Sequence, residues 1–225
     1  MIIRMRKTNK QYFFSVEGET ERMYLEWLQK QINSHSSSKH KVDIKVKVAK
    51  DPMRFVKSLQ ILGKTEVWHL FDYEGSMASN QDAQHLFEST LEKMKKAEKQ
   101  KNISYKLGYC NLSFELWMIL HKKDCSRSFN RVDQYLPIIN STYQLSCTRL
   151  SDYKEKDVFQ KCLGQLSLND VNDAIKRADR MICILEENSV KLSKYNGYQF
   201  YTKNPSLSIH EPMKKILSDC GLRKI

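Results

Sequence analysis

Two stretches of this chain end an apolar run in carboxylates. Tyr12–Glu21 reads YFFSVEGETE: the run stops at Glu17, glycine follows, and Thr20 stands between Glu19 and Glu21. Val67–Ser76 reads VWHLFDYEGS: the run stops at Asp72, with Glu74 two residues on and Gly75 after it. Asp72 and Glu74, spaced i, i+2, face the same way in extended chain. Such oxygen ligands suit a hard divalent ion, Mg²⁺ or Mn²⁺, which is held by one or two carboxylates with phosphate and water completing its shell. Two ions held between neighbouring strand ends can clamp the attacking and leaving oxygens of a phosphoryl displacement. The expected set is Glu17 as ligand or general acid/base, Asp72 and Glu74 as ligands, and Glu21, one helical turn on, as a secondary ligand. Acids also collect at strand ends and helix starts for capping reasons. The rhyme between the two stretches therefore carries the reading, not any single acid. Glu19 is expected to face solvent.

The elements that would position these acids follow from periodicity. Tyr12–Glu17 and Glu66–Asp72 are apolar on both faces, as central strands are. Asp43–Val48, DIKVKV, alternates and has one wet, basic face. Ile103–Cys110 is a fourth strand. Helices are expected from Thr20, as cap, to Ile32; from Pro52 to Leu62; and over Asn80–Lys99, with Leu86, Thr90, Leu91, Met94 and Ala97 inside. The order β-α-β-α-β-α-β predicts a parallel sheet covered by helices. Ligands of such sheets bind beyond the carboxyl ends of the strands, where Glu17 and Asp72 fall. After residue 110 the pattern reads as all-helical: Phe114–His121, Asp133–Ile139, Asp157–Leu166, Asn169–Asn188 capped by Asn169, and Ile209–Cys220 stopped by Gly221. Asn196-Gly197 and Asn204-Pro205 signal turns. The division is a core over 11–110 and a helical region over 111–225 packed on it, with no Gly/Ser/Pro linker between them.

The net charge of +12 favours a polyanionic partner such as nucleic acid, RNA or DNA. Lys93, Lys95, Lys96, Lys99 and Lys101 load one helix and its end, where they also suit the helix dipole. No apolar run reaches the length of a membrane span. The N-terminus MIIRMRKTNK has no apolar segment of a secretory signal, so a cytoplasmic location is expected. Six scattered cysteines without a CxxC pair argue against a disulfide framework and a zinc site.

Weaker candidates remain. His121, after an apolar helix, suits a phosphate contact, an acid/base or simply a polar helix end. Tyr153, Lys154 and Lys156 in SDYKEKDVF suit a phosphate or a solvated turn. His69 reads as a core histidine, and Trp27 and Trp117 as packing. There is no Walker-type loop, GxGxxG or GxSxG, so ATP binding by the common loops and serine-hydrolase chemistry are not expected.

EGETE after an apolar strand, with FDYEGS later, resembles the Toprim fold. In that fold an acid ends the first strand, a DxD motif ends a later one, and together they hold Mg²⁺. Glu17 matches the first acid; Asp72 and Glu74 match the second motif, with Glu in place of its second Asp. More narrowly, EGETE with YLEWL, FELWMILH, DYKEKDVF and NPSLSIHEPMKKIL resemble, in that order, the RloB-like family. This resemblance covers nearly the whole chain. It implies a Toprim core with a helical C-terminal half, and a nuclease effector of abortive-infection phage defence working with an AAA-type ATPase. It also implies weight on Glu115, His121, Asn204 and Pro205 near the site; Glu115, His121 and Asn204, with Lys154 and Lys156 from the SDYKEKDVF stretch, make up the candidate substrate or phosphate contacts. The rival is a non-catalytic Toprim-fold module that binds nucleic acid or the ATPase. A topoisomerase would need a nucleophilic tyrosine in an added domain, for which no region is large enough. The oligomeric state is left open.

Overall fold

The computed structural model describes residues 7–61, 63–74 and 81–223. The first part alternates strand and helix as the periodicity predicts. It runs β1 (Thr8–Val16), α1 (Glu19–Ser34), β2 (His40–Val48), α2 (Pro52–Ser58), β3 (Thr65–Asp72), α3 (Gln81–Glu98) and β4 (Ile103–Asn111). The sheet order is β2-β1-β3-β4, all parallel. β1 pairs with β3 from Phe13↔Val67 to Val16↔Leu70, and the Glu17 amide continues the ladder to the Leu70 carbonyl at 3.1 Å. Residues of the central strands alternate between two apolar layers. Tyr12, Phe14, Val16 and Leu70 pack with Tyr24, Leu25, Leu28 and Ile32 of α1. Val67, Phe71 and Tyr73 pack on the other face with Phe87, Leu91 and Met94 of α3. At the outer edge, β2 presents Lys41, Lys45 and Lys47 to solvent, a charge pattern that guards an edge from further pairing.

The C-terminal part contains α4 (Glu115–Leu120), α5 (Leu136–Tyr143), α6 (Leu150–Lys154), α7 (Lys156–Gly164), α8 (Leu168–Glu187) and α9 (His210–Asp219). It is mainly helical but not wholly so. A hairpin of β5 (Leu192–Tyr195) and β6 (Tyr198–Tyr201) turns at Asn196-Gly197, and both turn residues have positive φ, 49° and 88°. That pair of angles is what a tight primed turn requires. Strand β7 (Ser206–Leu207) then joins β4 antiparallel as the fifth strand of the sheet. Segments this short carry too little periodicity to be told from loop. Tyr198 and Phe200 enter the α3-side layer, while α4 to α9 supply much of the α1-side layer, so both layers draw on both parts of the chain.

Several local expectations are corrected. The residue before α1 is Gly18, in extended conformation and without a side-chain cap; Thr20 instead donates its hydroxyl to Glu21 Oε2 at 2.9 Å. Ser167, not Asn169, caps α8, in a reciprocal pair with Asp170. Leu86 is 65% exposed, and Phe87 takes the inner position on α3. α2 stops at Ser58, where the Lys101 ammonium reaches the Lys57 and Leu59 carbonyls at its end. Asn80, Leu62, Gly75 and most of the N-terminal lead-in lie outside the described residues. Among the described residues no helix is long and apolar enough to cross a membrane.

Candidate metal centre

β1 and β3 are neighbours whose connections leave in opposite directions along the sheet, since β2 lies beyond β1 and β4 beyond β3. This reversal of order opens a crevice at the carboxyl ends of β1 and β3. Glu17 follows the last residue of β1, and Asp72 closes β3. Glu17 Oε2 accepts the Asp72 backbone N–H at 3.3 Å, so the two strand ends are tied by the acid itself. Glu17, Asp72 and Glu74 line one cavity of about 170 Å³ together with Lys50, whose ammonium is 3.8 Å from Glu17 Oε1. Tyr73, between Asp72 and Glu74, turns the other way and is buried beside Phe87 and Phe200.

Glu21 sits in the first turn of α1, 5% exposed, and its carboxylate curls back over Gly18. A Cβ on Gly18 would lie 2.9 Å from Glu21 Oε2, so glycine leaves room for that approach. Glu115 arrives from a third direction. β4 delivers the chain to the head of α4, and Glu115 is wholly buried there, at the start of the otherwise apolar ELWMIL. Its Oε2 has no hydrogen-bond partner. Lys154, the last residue of α6, lies beside it with Nζ 3.2 Å from Oε1.

The electrostatics tie these groups into one cluster. Burial, together with the charges of Glu21, Glu115 and Glu17, holds the Asp72 carboxyl well above the usual carboxylate range. Burial pushes Glu21 up to about 7, with Glu115 adding to the rise. Glu74 is raised by burial and then by Glu17. Burial alone would lower the Lys154 ammonium, but Glu115, Asp72 and Glu21 outweigh it and hold its proton more firmly than usual. Five carboxylates thus face two lysines, an excess of negative charge that a divalent cation would compensate. The all-oxygen donor set suits a hard ion such as Mg²⁺ or Mn²⁺, but among the described residues the group of three whose ligand atoms lie within 4.8 Å of one another is Asp179, His210 and Glu211, so an ion here would have to draw these carboxylates closer.

The structure brings Glu17, Glu21, Asp72, Glu74, Glu115 and Lys154 together, and leaves three candidates elsewhere. His121 is 1% exposed: one ring nitrogen bonds the Trp117 carbonyl and the other the Tyr24 hydroxyl, each at 2.9 Å. Burial holds it down to about 4, and both ring nitrogens are already bonded within the core. Lys156 is exposed at the start of α7, with no ion pair among the described residues. Asn204 is buried and donates Nδ2 to the Phe129 carbonyl at 2.6 Å, beside a different cavity. His69 is the expected core histidine, bonded to Ser15 at 2.7 Å. Glu19 is exposed and pairs with Arg22. Spacing alone did not reveal Glu115 as a fifth carboxylate, Lys154 as its counter-charge or Lys50 as that of Glu17. A signal existed: an acid heading an apolar helix must find compensation inside the fold.

Fold and site thus define a mixed α/β protein with a mostly parallel sheet flanked by helices and a carboxylate cluster at its switch point. A family model described as RloB-like protein matches residues 12–216, and the chain belongs to the RloB-like family. No match is found among curated proteins or among solved structures.

Proposed function

We propose that this RloB-like protein is a Mg²⁺- or Mn²⁺-dependent nuclease of the Toprim type. The observation that carries the reading is the meeting of Glu17, Glu21, Asp72, Glu74 and Glu115 at one sheet end, with Lys154 and Lys50 as the cations facing them. Glu17, Asp72 and Glu74 would hold the ion or ions, with Glu115 and Glu21 completing the donor set. A bound divalent ion would polarise a phosphoryl oxygen and lower the pKa of bound water. The chain's own groups do the rest. Glu17, 36% exposed, is open to the crevice and can accept a proton there. Lys154 keeps its proton and sets a fixed positive charge beside the carboxylates, suited to a phosphate oxygen. The exposed lysines of β2 and the net charge of +12 would offset the charge of a nucleic-acid strand.

The substrate would be RNA, tRNA among the candidates, or DNA. The setting would be abortive-infection defence in the cytoplasm, with an AAA-type ATPase as partner. Incubation of labelled RNA and DNA with the protein, the partner ATPase and Mg²⁺ or Mn²⁺ tests this, beside Glu17→Gln and Asp72→Asn. Cleavage that needs metal and disappears in both variants is the expected result. Wild type and Glu17→Gln behaving alike would end the nuclease reading and leave a non-catalytic binding module.

A further inference from the structure

Away from the acidic crevice, a second cavity of about 420 Å³ lies between α8, the loop after α4 and the segment that joins β6 to β7. That volume is within the usual range for small-molecule sites. We propose that it binds a nucleoside phosphate.

Three features of the cavity select that chemistry. Its wall is apolar: Met181, Ile184 and Leu185 of α8 with Pro205 opposite. Ile184 is 45% exposed, one of two large hydrophobic side chains left so exposed among the described residues. A flat ring would cover it and remove that surface from water. The second feature is Asn204, 4% exposed, whose Oδ1 has no hydrogen-bond partner. Its amide cannot be turned round, because Nδ2 is bonded to the Phe129 carbonyl, which only accepts. Asn204 therefore carries a buried acceptor beside the cavity, and a buried acceptor without a donor is costly. A ring N–H or amino group would satisfy it. The third feature is charge. The charged residues lining the cavity are Arg177, which also donates to the Leu120 carbonyl at 2.7 Å, Arg180, Lys203 and Asp124. Asp124 lies 3.9 Å from Arg177 and 3.6 Å from Arg180, and Lys203 has no ion pair among the described residues. Three cations against one anion leave charge for a phosphate, which guanidinium groups bind well. An apolar ring face, an edge donor and an anionic group are together a nucleotide.

The source is either a free mononucleotide or one nucleotide of a strand, and binding separates the two. Titration calorimetry on the full chain would use the four ribonucleoside 5′-monophosphates, a single-stranded oligonucleotide, ribose 5-phosphate and inorganic phosphate. The variants are Arg180→Glu with Lys203→Glu, and Ile184→Asp. All three positions are exposed, and unchanged melting curves would show that the fold is kept. At least one mononucleotide should bind with a dissociation constant below a millimolar, weakened tenfold or more by each variant and unchanged by Glu17→Gln. Saturation by the oligonucleotide alone, with the same response to the variants, would assign the site to a strand. The proposal is overturned if no nucleotide binds, if inorganic phosphate or ribose 5-phosphate binds as tightly, or if only Glu17→Gln weakens binding. Because Glu17→Gln serves as the control, the result stands apart from the fate of the nuclease reading.

Discussion

Lys154 sets its ammonium 3.2 Å from Oε1 of Glu115, a carboxylate with no solvent exposure. The two residues stand 39 positions apart, on helices of the C-terminal part, yet they act on acids carried by β1, α1 and β3. The pair links the helical part to the strand-end acids, because each group shifts the protonation of Asp72 and Glu21.

Removing the lysine should therefore be felt in stability. Lys154→Met leaves a buried carboxylate without its cation, a loss that in a closed interior costs several kcal/mol. The Lys154 side chain is 43% exposed, so solvent screening reduces the figure to about 1–2 kcal/mol. Urea unfolding at pH 7 measures it, and an unchanged midpoint would mean that the pair contributes nothing.

The raised Glu21 pKa gives a pH dependence of known sign. The folded protein holds this proton up to about 7, whereas the free side chain releases it near 4.5. Glu21 therefore costs nothing below the lower value, and its cost grows as pH rises through the interval, to about 3 kcal/mol. Glu21→Gln should match the wild type near pH 4 and exceed it near pH 7.5. A parallel pair of stability profiles would contradict this.

Divalent ions should stabilise the protein independently of any turnover. At a hundredfold excess over its dissociation constant an ion adds about 2.7 kcal/mol, or roughly 5–10 °C in Tm for a chain of this size. Thermal melting in Mg²⁺ or Mn²⁺, reversed by chelator, reads the shift. Glu115→Gln keeps the volume, removes the charge and should abolish most of it.

Gly18→Ala should separate folding from ligation. The backbone at Gly18 is extended, φ −136°, so alanine fits the conformation, but its Cβ meets Glu21 Oε2 at 2.9 Å. Stability should change by less than about 1 kcal/mol. The metal-induced rise in Tm should shrink as Glu21 swings away, and an unaltered metal response would remove Glu21 from the donor set.

Tyr24→Phe should destabilise without touching the site. It leaves the buried His121 ring nitrogen without its hydroxyl partner, at a cost of about 1–3 kcal/mol. The metal response of the melting curve should stay as in the wild type.

The sequence by itself determined the alternation of strand and helix through residue 110, because long apolar runs with periods of 2 and 3.6 report directly on which face is buried. It also determined that Glu17 and Asp72 sit at strand ends, since each closes an apolar run, with Glu74 two residues beyond. The motifs EGETE with YLEWL, FELWMILH, DYKEKDVF and NPSLSIHEPMKKIL pointed to the family whose model matches residues 12–216. Local chemistry misled where two residues could each serve, as with Thr20 and Gly18 before α1 or Asn169 and Ser167 before α8. Only the tertiary structure decided that β1 lies beside β3, which makes two acidic stretches one crevice. It decided equally that Glu115 and Lys154 reach that crevice while His121 turns into the core against Tyr24. A helix start or a short polar segment has the same local signature whichever way its side chains face. Their direction is set by packing against elements far away in the chain, and periodicity within one element does not contain it.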